Sequence, residues 1–158
     1  PLRDVYKRQD KNKAIKTLIE LDYSNETEIE DFVKKTAFFS KSLDDLYKDY
    51  ENKRPTVIRI KQFQNNSKNV DPKINEITIE FSEPLNGRNT SIDFGDLGQS
   101  AFPKNDVTKR YWSKDHKSWT IPVALEPNKK YQLLIENGFR TDKNVRLKPY
   151  LIEFETGK

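Results

Sequence analysis

Between residues 76 and 82 the sequence EITIEFS sets Ile77, Ile79 and Phe81 on one side of an extended chain and Glu76, Thr78, Glu80 and Ser82 on the other. Successive side chains of a strand point to opposite faces, so this alternation demands a sheet with one buried face. It recurs in SWTIPV through Trp119, Ile121 and Val123, in YQLLIE through Tyr131, Leu133 and Ile135, and in YLIEFET through Ile152 and Phe154. TVIRIKQF supplies an opening strand through Ile58 and Ile60. Pro122 has no N–H for a ladder, which places its strand at an edge or at a bulge. Short strands of this kind, separated by turn signals over about 100 residues, predict a mainly β chain built on an antiparallel β-sandwich. The apolar share of 34% is low and the charged share of 34% is high, so the core is thin, and two packed layers suit it.

Upstream of Pro55 the period is helical. Ile15, Leu18 and Ile19 line one face of KNKAIKTLIELDY, and SNETEIEDFVKKTAFF restarts the pattern with Ser24 or Asn25 as N-cap and Ile29, Phe32 and Val33 buried. A third helix starts at Ser42, with Asp45 completing a capping-box-like pair, and turns Leu43, Leu46, Tyr47 and Tyr50 inward. The residue before a proline avoids the α region, so ENKRP ends this tract. The expected organisation is a scar-like start over residues 1–9, whose PLRDVYKRQ resembles an adapter-derived end; three short helices over 10–53, belonging to the end of an upstream domain; and the sandwich over 54–158.

The turns between the strands carry a more specific signal. NVDP precedes ITIEFSEPL, LEPNKKY precedes QLLI, and the final strand ends in FET. Asp71-Pro72 fixes a turn into a strand, Pro84 stops pairing, Asn86-Gly87 offers a positive φ, and Tyr131 is placed to bond back onto its preceding loop as in a tyrosine corner. In this order, from RPTVIRI to LIEFET, the pieces resemble the bacterial Ig-like domain of S-layer and other envelope proteins, over about residues 54–156. The resemblance implies an Ig-like sandwich in an exported bacterial protein. RNTSIDFGDLGQSAFPKNDVTKRYWSKDHK, residues 88–117, departs from that pattern as a long polar segment bearing aromatics. FFSKSLDDLYKDYENK weakly resembles the helical tail that closes gluzincin metallopeptidase domains, although the zinc motif H-E-x-x-H does not occur in the chain.

Charge and composition narrow the function classes. Residues 1–54 carry 12 Lys and Arg against 12 Asp and Glu, whereas 55–158 carry 17 against 13, so the net +4 lies in the second part. Those cations are scattered among acids, as in TDKNVRLK and VTKRYWSKDHK, whereas a nucleic-acid stripe clusters them on one face with stacking aromatics between, so nucleic acid is not expected as a partner. With no cysteine in the chain, disulfides, thiolate metal sites and Cys nucleophiles are excluded. No apolar run approaches the roughly 20 residues of a membrane span.

Candidate chemistry is sparse. His116 is the only histidine and sits in the polar turn SKDHKS between cations. Asp93 and Asp96 in IDFGDLG fall short of the six or more oxygen ligands calcium requires. No G-x-S-x-G or Gly-rich phosphate loop occurs. Catalytic residues, metal ligands and cofactors are therefore expected to be none. Trp119 alternates with core residues, whereas Tyr111 and Trp112, together with His116, form the candidate interaction surface for a partner protein or a glycan.

The expected function is a non-catalytic accessory module, acting as spacer, docking or adhesion domain at the C-terminus of an exported bacterial protein, outside the cytoplasm in the periplasm or at the cell surface. Its expected partners are the upstream domain of the same polypeptide and an envelope protein or glycan. Two alternatives stand beside it: the C-terminal tail of an envelope peptidase whose catalytic domain lies outside this sequence, and a carbohydrate-binding module using residues 88–117.

Overall fold

The computed structural model describes residues 43–158. The first two expected helices, the Ser42 cap and the scar-like start lie outside those residues. The third helix runs over Leu43–Glu51. It closes with Asn52 N–H donating to Lys48 O at 3.0 Å and Arg54 N–H to Glu51 O at 3.2 Å, just ahead of Pro55. The Arg54 guanidinium pairs with Glu51 at 2.8 Å and donates from Nε to Arg146 O at 3.0 Å. The described residues group into two compact units, 43–54 with Lys143–Arg146, and Pro55–Asp142 with Leu147–Lys158.

The second unit is the sandwich. Its strands are β1 (Val57–Ile60), β2 (Glu76–Phe81), β3 (Ile92–Asp93), β4 (Lys104–Asn105), β5 (Tyr111–Trp112), β6 (Ser118–Ala124), β7 (Lys130–Ile135) and β8 (Tyr150–Glu155). One sheet has the order β1-β2-β6-β4, with β5 also on β6, and the other has β3-β7-β8; every pair is antiparallel. With β4 and β5 taken as two halves of one strand, these are the ABED and CFG sheets of an Ig-like sandwich. The alternating residues meet between them: Ile77, Ile79, Phe81, Trp119, Ile121, Tyr131, Leu133, Ile135, Ile152 and Phe154 are all buried in one cluster.

The chain after β1 changes sheet. Residues 66–70 lie parallel to β8, with Asn66 N–H on Glu153 O at 2.7 Å, Glu155 N–H on Ser67 O at 2.9 Å and Val70 N–H on Glu155 O at 3.0 Å. Asn65 extends this cover with its side chain, donating to Leu151 O at 2.9 Å and accepting from Glu153 N–H at 2.8 Å. An edge strand left open is a template for unwanted pairing, and β8 is closed along its length in this way.

The turns behave as their residues require. Asp71 Oδ1 accepts from Lys73 N–H at 2.9 Å and Asp71 O accepts from Ile74 N–H at 3.1 Å, with Pro72 between them. Gly87 takes φ 71°. The Tyr131 hydroxyl accepts from Glu126 N–H at 2.8 Å, forming the expected tyrosine corner. Thr156 locks the same corner from the other side: its hydroxyl donates to Glu126 O at 2.5 Å and accepts from Lys129 N–H at 2.9 Å. That double role gives the FET ending a physical meaning, because Phe154 stacks on Tyr131 at 5.3 Å while Thr156 fastens the turn that precedes Tyr131.

Three expectations are corrected. Ile58 was expected inside with Ile60, but it is 60% exposed while Val57 and Ile60 are buried. The register jumps from Val57↔Phe81 to Arg59↔Glu80, so a β-bulge at Ile58 absorbs one residue and flips the alternation. Pro122 lies neither at an edge nor in a bulge, since β6 runs between β2 and the β4/β5 pair. Val123 N–H reaches β2 at Asn75 O, so the Pro122 nitrogen faces the other neighbour. There β4 has ended opposite Val123 and β5 begins opposite Thr120, and the 3-10 turn Val107–Lys109 fills the gap, so no ladder donor is lost.

The outer faces are also less bare than alternation implies. Thr78, Thr120 and Gln132 are buried. Thr78 and Thr120 share a hydroxyl hydrogen bond at 2.9 Å, while the Gln62 side chain accepts from Thr78 N–H at 2.7 Å and donates to its hydroxyl at 3.0 Å. Gln132 accepts from Leu97 N–H at 2.8 Å and donates to Glu153 at 3.1 Å beneath the loop after β3. A Cβ on Gly95 would come within 2.5 Å of the Gln132 amide oxygen, so that loop fits here through a glycine.

Candidate interaction surface

The polar segment 88–117 supplies β3 on one sheet, crosses over, and supplies β4 and β5 on the other. It ends in a hairpin with β6. Ser113 and Ser118 close the loop through Ser113 N–H on Ser118 O at 2.9 Å and Ser118 N–H on Ser113 Oγ at 3.0 Å. Asp115 Oδ1 accepts from the Ser113 hydroxyl at 2.7 Å and from Lys117 N–H at 3.0 Å, and these bonds hold its carboxyl below the usual range, the Ser113 bond most. His116 completes the reversal at φ 58°, a left-handed conformation that His tolerates better than most residues.

Adjacent residues of a strand face opposite ways, and this separates the expected surface residues. Trp112 turns toward the core, half-buried, with its ring 5.8 Å from Phe139, 5.9 Å from Phe81 and 6.4 Å from Trp119. His116 stands beside it at 6.1 Å. The His116 carbonyl accepts from Leu85 N–H at 3.0 Å, and a Cβ on Gly87 would sit 2.6 Å from its ring, so the Asn86-Gly87 turn packs flat on the imidazole. Tyr111 points the other way. It is 51% exposed and donates its hydroxyl to Glu76 at 3.2 Å. The structure thus brings Trp112 and His116 together and leaves Tyr111 as the accessible ring.

Arg110 shares the inward side with Trp112. Its guanidinium lies 5.7 Å over the Trp119 ring and donates from Nη2 to Asn105, while its buried Nε has no hydrogen-bond partner. Burial lowers its pKa. An arginine held this way covers the core where β4 and β5 separate, its stem and flat head serving as apolar cover. Periodicity gave no hint of it, because the residue stands between a 3-10 turn and a two-residue strand.

The other acids do local work. Glu80 is held below its ordinary pKa by its bond to Arg59, Asp106 by the Thr108 hydroxyl it caps, and Glu153 by Lys130 and then Gln132. Asp93 accepts from Phe94 N–H at 2.7 Å. Among the described residues no three His, Cys, Asp or Glu side chains converge as metal ligands, and no described helix is long and apolar enough to cross a membrane.

Comparison with known proteins places this architecture. A family model described as a bacterial Ig-like domain matches residues 51–156. Among solved structures, the crystal structure of the S-layer protein rSbsC(31-844) is similar at 17% identity and a TM-score of 0.40, over 99% of this chain and 22% of that one. The structure of the surface layer protein SbsC, domains 1-6, matches with the same values. The chain thus spans 22% of the length of each of these solved chains. No curated protein sequence matches.

Proposed function

The chain belongs to the bacterial Ig-like domain family, and from that premise we propose that it is a non-catalytic module of an exported protein, working outside the cytoplasm as a spacer or docking domain within a longer envelope polypeptide. The observation that carries this reading is where the polar groups go. Asp71, Asn86, Asp106, Asp115, Tyr131 and Thr156 each bond a backbone group of their own or a neighbouring turn. Among the described residues, the carboxylates that depart from their ordinary pKa, Glu80, Asp106, Asp115 and Glu153, all depart downward. A general acid needs the opposite shift, toward neutrality, by burial or a like charge. Stiff turns on a closed sandwich suit a part that holds distance and orientation between neighbours.

The purified chain, incubated with peptide and glycoside substrates, is expected to show no turnover above buffer. Metal-independent hydrolysis abolished by replacing a single acid would overturn the proposal.

A further inference from the structure

The sandwich's charge excess is concentrated on one sheet edge. Residues 104–117 carry five Lys and Arg against two Asp, most of the net +4 of the whole chain. Pairing with β6 lays this segment out in order along that strand: Lys104 stands opposite Ala124, Tyr111 opposite Thr120, and Lys117 immediately precedes Ser118. Seven residues of strand make a track of about 23 Å. Lys104, Lys109, Lys114 and Lys117 are exposed along it. The segment's two acids are engaged locally, Asp115 inside its own turn and Asp106 with Thr108 and, at 3.8 Å, Lys109, while Glu76 of β2 accepts from the Tyr111 hydroxyl at 3.2 Å. Midway stands the half-exposed ring of Tyr111.

We propose that this edge binds a linear anionic polysaccharide, whose carboxylate, sulfate or phosphate groups follow the lysines while one sugar lies against Tyr111. Spaced cations along an extended edge match a polymer with repeated charges better than a compact anion. Single-stranded nucleic acid stacks successive bases on a platform of rings; here Trp112 is turned into the core and Tyr111 stands alone on the track, which favours a glycan. The inference goes beyond the spacer role, which stands whether or not this edge binds.

The test uses the full 158-residue chain with polygalacturonate, dextran sulfate, neutral dextran and oligothymidylate as probes, followed by isothermal titration at low and high salt. Binding is expected for the two anionic glycans and not for dextran, weakening as salt screens the exposed charges. The relative strength of the two separates carboxylate from sulfate preference. Replacing Lys104, Lys109 and Lys117 together by Gln should weaken binding about tenfold or more, and Tyr111→Ala should weaken it further, with unchanged melting temperatures. Absence of glycan binding at low salt, an unchanged affinity in the triple variant, or equal or tighter binding of oligothymidylate would each overturn the proposal.

Discussion

Phe139→Ala is expected to cost about 3–5 kcal/mol of stability, enough to lower the melting temperature by about 10 °C or more. Phe139 follows β7 in a connection, yet it is completely buried. Its ring meets Trp119 at 5.1 Å, Phe81 at 5.6 Å and Trp112 at 5.8 Å, so it joins residues from both halves of the β2-β6-β5 layer. Its carbonyl also accepts from Leu147 N–H at 2.9 Å, which fixes the backbone beneath the ring. Truncation would leave a cavity bounded by three aromatic rings that cannot collapse without moving strands. Urea unfolding followed by tryptophan fluorescence reads this directly, because both tryptophans of the chain lie against Phe139. Phe139→Leu should recover much of the loss, and a loss below about 1 kcal/mol for alanine would show that the cluster does not close the core.

The second large effect separates two isoleucines that the sequence presents as equivalent. Ile60→Ala is expected to cost about 2–5 kcal/mol, whereas Ile58→Ala should stay within about 0.5 kcal/mol. The bulge between Val57 and Arg59 is the reason, since it leaves Ile58 in water and returns Ile60 to the interior. Arg59, paired with Glu80 across the bulge, marks where the ladder resumes. Equal losses in the two variants would mean that β1 runs in plain alternation.

The same pair shows what could be read from the chain and what could not. Strands β2, β6, β7 and β8 were legible because one buried face imposes a period of two on six or seven residues. The tyrosine corner and the Asp71-Pro72 and Gly87 turns were legible because each depends on a residue type with one conformational use. A bulge has no composition of its own, so Ile58 and Ile60 looked alike. Leu85, Phe139 and Leu147 lie in connections, where a single apolar residue carries no period, and their burial follows only from three-dimensional closure. Pro122 was misread for a related reason: ladder geometry forbids proline in a central strand only where the neighbour continues, and the break between β4 and β5 is a property of segment 88–117 as a whole.

At the candidate surface, the three residues Tyr111, Trp112 and His116 were chosen for their chemistry. What alternation adds is that two successive residues cannot share a face. Applied to Tyr111 and Trp112, it separates the exposed ring from the half-buried one. His116 pairs with Trp112 because the hairpin needs a left-handed residue, which folds the imidazole back over Gly87. The clamp made by Thr156 and the cover made by Asn65 rest on single polar side chains meeting backbone groups far away in sequence, and nothing local announces them.

The central claim, that this is a structural module of a longer exported protein, is tested most directly by determining the complete sequence of its gene. The account predicts further Ig-like modules next to this one, an export signal at the start, and no H-E-x-x-H in the sequence upstream of the helix Leu43–Glu51. A zinc-peptidase motif immediately upstream, with that helix as its closing element, would contradict the account and make the sandwich an appendage of an enzyme.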